Sequence, residues 1–216
     1  MPRRILLVRH CQSQANHEGR IEGRGDSPLS ELGRQQAERL ARFMADQGIG
    51  PATVIASPLS RAAATAAAIA AECGWTASHD HRIREGELGW MEDLSYQEVA
   101  RHMLERKAMT LDAEIHGGES LDVVAERCWA ALSEAMAVSK GPLVAVTHGY
   151  AIHALVRRFG HHLSLGEIAN GDVILTVLAR QRQPPPVPSI TTPHALQLKI
   201  EPAADCGRYD SIRKVA

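Results

Sequence analysis

Ile5-Leu6-Leu7-Val8-Arg9-His10 decides the fold. Four aliphatic residues in a row, β-branched at both ends of the run, read as a strand buried on both faces. Such strands belong to parallel sheets, and open parallel sheets bind ligands at strand carboxyl ends. The run therefore delivers an arginine and a histidine to the edge where such sheets do chemistry. A cation beside an imidazole suits an anionic substrate, and the small and polar residues Cys11-Gln12-Ser13-Gln14-Ala15-Asn16 follow directly.

Outward from this strand the pattern repeats. Apolar runs at 52–56, 143–147 and 173–178 are further strands, and weaker candidates lie at 76–79 and 194–200. Helices fill the intervals. Ser30 is placed to cap one reaching Gln47, stopped by Gly48. Residues 59–73 are mostly alanine, and Gly74 follows as a stop. Ser95 caps a shorter helix to about Lys107, and Ser120 a long one carrying Leu121, Val124, Cys128, Leu132 and Met136 on one face. A fifth covers 150–159, before Gly160. Alternating strands and helices imply an α/β fold. We expect a three-layer α/β/α sandwich with a mostly parallel central sheet of about six strands, one of them an antiparallel edge strand. The whole chain, 1–216, reads as one domain with its core at about 3–180. The segment 183–193 carries five prolines and reads as an extended connection, and the residues after Pro202 as a polar, loosely ordered tail.

Composition narrows the partners. The 216 residues are 44% hydrophobic but only 4% aromatic, so aliphatic side chains and alanine must fill the core. A net charge of −1 and a pI near 6.8 give no support for a nucleic-acid or membrane partner. The four cysteines, Cys11, Cys73, Cys128 and Cys206, are scattered without CxxC spacing, which fits a reducing compartment. Neither a signal-peptide core nor a stretch of about 20 apolar residues appears, so a cytoplasmic location is expected.

Taken alone, a histidine after a strand is usually structural. Here two other strands end in the same way. The run at 52–56 leads into Ser57-Pro58-Leu59-Ser60-Arg61, with Arg61 in the first turn of the next helix, and 143–147 leads into His148-Gly149. Two arginines and two histidines at one sheet edge form an anion site, because arginine presents a planar fork to two phosphate oxygens and helix N-termini add N–H donors.

These segments resemble the histidine phosphatase superfamily, in its phosphoglycerate mutase-like branch (branch 1), from Arg4 to about Val177. Leu7-Val8-Arg9-His10 with Ser13 and Asn16 looks like the family signature. Asp26-Ser27-Pro28-Leu29-Ser30 with Leu32-Gly33 and Gln36-Ala37 resembles a second block, and Ser57-Pro58-Leu59-Ser60-Arg61-Ala62 with Thr65-Ala66 a third. Arg84-Glu85, Gly117-Gly118-Glu119-Ser120 and Val146-Thr147-His148-Gly149 complete the set. The resemblance implies that His10 is the nucleophile that becomes phosphorylated and that Glu85 is the proton donor. Arg9, Arg61 and His148 then bind the phosphoryl group, with Asn16 and backbone at Gly149 adding hydrogen bonds. The residue types suit this: neutral imidazole is a good nucleophile, and phosphoryl transfer asks mainly for positioning and charge stabilisation. No cofactor or metal is implied, and no metal-ligand spacing appears.

Two departures from the family pattern stand out. Cys11 replaces the glycine that normally follows the histidine, where a side chain could crowd the phosphate pocket or carry a reactive thiol. Trp90-Met91-Glu92-Asp93 stands where a tryptophan-glutamate-glycine run is usual.

Glu85 and His148 are 63 positions apart, which leaves little room for the lid of a mutase, and the family's Arg-Tyr motif is missing. An open phosphoenzyme favours water. The expectation is therefore a metal-independent phosphomonoester hydrolase acting on a small phosphorylated metabolite. The alternatives are a cofactor-dependent phosphoglycerate mutase and a catalytically silent phosphate-binding module. The oligomeric state is left open by the sequence; the family's members are often dimers, so analogy alone offers a homodimer.

Overall fold

The computed structural model describes residues 3–105, 117–158, 168–171, 173–178, 197–201 and 213–214. The described part of the expected Pro-rich connection is nil, and of the tail only Arg213–Lys214 falls inside it.

Four strands run parallel: β1 (Arg3–Arg9), β2 (Thr53–Ala56), β3 (Ala77–His79) and β4 (Leu143–Thr147). β5 (Val173–Leu178), β6 (Gln197–Glu201) and β7 (Arg213–Lys214) continue the sheet by antiparallel pairings, giving the order β3-β2-β4-β1-β5-β6-β7. The α/β class and the parallel centre agree with the sequence. The strand count does not: among the described residues the parallel part has four strands, and three antiparallel-paired strands extend it where one was expected. The short two-residue β7 left no periodicity to read.

Alternation in β1 divides the core. Ile5 and Leu7 pack on one face with α5 (Leu121–Val138) and α6 (Gly149–Arg158). Leu6 and Val8 pack on the other with α2 (Glu31–Asp46) and α3 (Ser60–Cys73). Successive strand residues point to opposite faces, so one aliphatic run serves two cores. The result is the expected helix–sheet–helix sandwich.

The helices begin and end as their caps dictate. Ser30 accepts from Gly33 N at 2.9 Å and Ser120 from Val123 N at 3.2 Å. Gly74 ends α3 in the left-handed region, at φ +67°. α4 (Tyr96–Glu105) follows Ser95, whose hydroxyl accepts from Glu98 N at 3.2 Å. One short helix was not expected: α1 (Gln14–His17), closed by a capping box between Ser13 and Asn16.

Candidate active site

His10 lies just past the end of β1, 3% exposed, with its N–H bonded to Thr147 O at 2.9 Å. Its Nδ1 donates to the Cys11 carbonyl at 2.8 Å. A carbonyl can only accept, so Nδ1 carries the proton and Nε2 keeps its lone pair. That lone pair accepts from Arg61 Nε at 3.3 Å. The ring of His148, fully buried at the end of β4, stands 5.1 Å away, tilted by 57°. Neither nitrogen of His148 has a hydrogen-bond partner among the described residues. Both imidazoles are held well below their ordinary range, first by burial and then by the charge of Arg61; Arg9 acts in the same direction on each.

Arg61 is 1% exposed in the first turn of α3. Nη1 donates to Gly25 O at 2.7 Å, Nη2 to Gly23 O at 2.9 Å, and Nη1 also pairs with Glu22 Oε1 at 3.3 Å. A buried guanidinium needs this much compensation. Thr65, one turn along α3, donates to Arg61 O at 2.7 Å and accepts from Cys11 N at 3.1 Å, which ties the loop after β1 to the start of α3. Arg9 donates from Nη1 to Ile168 O. Its guanidinium lies over Gly149, where a Cβ would come 3.4 Å from Arg9 Cζ.

Glu85 is 8% exposed and rests on the N-terminus of α6. Oε1 accepts from Gly86 N and Ala151 N, both at 3.1 Å, and Oε2 from Tyr150 N at 3.2 Å. Burial pushes this carboxyl up, against the opposing pull of Arg61 and the backbone donors. A carboxyl raised in this way can hold a proton to give away. The amides of Tyr150 and Ala151, which follow Gly149 in the first turn of α6, thus hold the acid.

Asn16 Oδ1 accepts from Ser13 N at 3.4 Å and from Asn170 Nδ2 at 3.0 Å. This sets the amide so that its own Nδ2 is left to donate. The same Asn170 Nδ2 also bonds His10 O at 3.2 Å, and Gly171 N bonds the carbonyls of Arg9 and His10.

The structure therefore brings His10, Arg61, His148, Glu85, Arg9, Asn16 and Gly149 to one edge. Sequence reasoning missed Glu22 and Asn170. Glu22 is 7% exposed and accepts from both Ser13 Oγ and Ser27 Oγ at 2.5 Å. Its one signal was chemical: a buried arginine requires a counter-charge. Cys11 does not crowd the pocket. Its side chain is fully buried with Leu6, Val8, Ala37 and Leu40, on the α2/α3 side of the sheet. Burial pushes its thiol up to about 12, the opposite of the reactive thiol considered from sequence.

A family model described as the histidine phosphatase superfamily (branch 1) matches residues 5–183. Phosphoglycerate mutase-like protein 4 of Arabidopsis thaliana is 41% identical over 162 residues, 71% of this chain and 70% of that protein. A Salmonella paratyphi C protein named "Probable phosphoglycerate mutase GpmB" is 36% identical, over 70% of this chain and 72% of its own. Among solved structures, the mycobacterial glucosyl-3-phosphoglycerate phosphatase with bound VO3 is similar at a TM-score of 0.65 and 28% identity, covering 81% of this chain and 90% of that one. No helix among the described residues is long and apolar enough to cross a membrane.

Proposed function

Because the chain belongs to the histidine phosphatase superfamily, branch 1, we propose that it hydrolyses a small phosphomonoester through a phosphohistidine on His10. The observation that carries this reading is the His10 tautomer. The Cys11 carbonyl accepts from Nδ1–H, which leaves Nε2 unprotonated with its lone pair toward Arg61 Nε.

Nε2 attacks phosphorus as the ester P–O bond breaks. Arg9 and Arg61 offset charge on the phosphoryl oxygens, and His148 and Asn16 donate hydrogen bonds to them. The departing alkoxide takes the proton of Glu85. Water then attacks the phosphohistidine and gives a proton back to Glu85, releasing phosphate and restoring Nε2. No metal enters either step.

Hydrolysis rather than mutase turnover is supported by the short interval from Glu85 to His148 and by the missing Arg-Tyr motif. The mutase reading is favoured by the names of the curated relatives, and the phosphatase reading by the mycobacterial structure. The scattered cysteines fit an enzyme of the reducing cytoplasm, working on a free metabolite.

The deciding experiment is a panel of phosphomonoesters assayed for phosphate release beside a mutase assay primed with a bisphosphate. Phosphate release is expected with several esters, with acid-labile phosphate trapped on the wild type and absent from His10→Ala. Efficient phosphoglycerate interconversion with little phosphate release would overturn the hydrolase reading. The silent-module alternative requires no incorporation from any ester.

A further inference from the structure

Glu85 lies in a segment that no regular structure holds. Residues 84–88 belong to neither helix nor strand, between two 3-10 turns at His81–Ile83 and Gly89–Met91. A side chain far along the sequence grips this segment from outside. Arg127, on α5, donates from Nη1 to the carbonyls of Arg82 at 2.6 Å and Arg84 at 2.7 Å, and from Nη2 to the carbonyl of Glu85 itself at 3.0 Å. The other edge of its fork pairs with Glu119, Nε to Oε1 at 3.1 Å and Nη2 to Oε2 at 2.8 Å. Glu119 closes the clamp. Its Oε2 accepts from Glu87 N at 3.1 Å, and its own N–H donates to Glu87 O at 2.8 Å. Both side chains are largely buried, at 17% and 15% exposure.

We propose that the Arg127–Glu119 pair is the positioning device of the proton donor, fixing the backbone of 82–87 so that the Glu85 carboxyl meets the leaving oxygen. This rests on the role given to Glu85 above. The chemistry explains the residue type. Three carbonyls and a carboxylate at fixed angles match a five-donor planar fork, and one ammonium cannot span them. Backbone donors on α6 hold the carboxyl from one side, and Arg127 holds its main chain from the other. Freed from the clamp, Glu85 keeps its chemistry but loses its aim.

A positioning role for the acid predicts a selective defect. An alkyl phosphate needs its leaving oxygen protonated, whereas p-nitrophenyl phosphate expels a stable anion. The measurement is kcat/KM for glycerol 2-phosphate and for p-nitrophenyl phosphate, in wild type, Arg127→Met, Arg127→Lys and Glu85→Gln. In Arg127→Met the alkyl value is expected to fall about 100-fold and the aryl value by less than about 5-fold. Glu85→Gln should show the same selectivity, and Arg127→Lys an intermediate one. Equal falls on both esters, or no change in their ratio, would overturn the proposal. If Arg127→Met does not fold, the ratio is read from Arg127→Lys. Acid-labile phosphate on the wild type is scored separately. Its absence alongside a shifted ratio counts against the phosphohistidine, and its presence with parallel losses counts against the clamp.

Discussion

Cys11 shows how a single residue can look central to a site and belong elsewhere. It adjoins His10 in sequence, yet its thiol is fully buried in the α2/α3 core and is pushed up to about 12. Peroxide should therefore inactivate the wild type and Cys11→Ala at the same rate; protection by the substitution would contradict the buried placement. Cys11→Gly should cost about 1–2 kcal/mol in urea unfolding, from lost packing and added backbone freedom. Glu22 is the opposite case, a loop acid that the site depends on. Its carboxylate and the Arg61 guanidinium are 6% and 1% exposed. Removing one partner of such a pair strands the other, so Glu22→Ala should lose about 3 kcal/mol of stability and Glu22→Gln clearly less. Equal, small losses in the two variants would show that Gly23 and Gly25 carbonyls suffice for Arg61.

Elements were legible where periodicity wrote them, and so were the residues they carry to the sheet edge. Arg9 ends a strand, His10 and His148 follow directly on strands and Arg61 lies in the first turn of a helix, so reading the strands located them. Glu85 was reached only through the family resemblance. Its segment is irregular and its placement depends on Arg127 and the α6 amides, contacts that no local pattern encodes. Asn170 and Glu22 also sit in loops, and their roles arise from distant partners. One close approach between elements is visible in a glycine. A Cβ on Gly33, in the first turn of α2, would stand 1.9 Å from Gln12 O. That carbonyl also accepts from Ser30 N, tying the α2 cap to the loop two residues beyond His10. Gly33→Ala should therefore lower stability by about 1–3 kcal/mol and reduce turnover as well. A thermal shift with unchanged turnover would mean that the loop tolerates the displacement.

At the scale of the whole molecule, the buried site sets the pH response. His10 and His148 stay neutral in the fold, while in the unfolded chain each takes up a proton near 6.5. Stability should therefore be complete above that pH and fall as the pH drops below it, by up to about 1.4 kcal/mol per unit for each ring. Glu85 acts in the other sense. Its raised value stabilises the fold in acid and is lost as pH rises through it. With two rings against one carboxyl, the melting temperature should drop between pH 7 and pH 5, and His148→Asn should flatten that drop. An unchanged slope in the variant would place the response elsewhere.

β1 lies between β4 and β5. Both of its neighbours come far after it in the chain, since β4 begins at Leu143 and β5 at Val173. During synthesis the nucleophile is therefore made before β4 and β5 and is seated only once they follow. Until then Ile5-Leu6-Leu7-Val8 has no sheet to join. A phosphate site that appears only once β4 is complete is what this order of assembly entails.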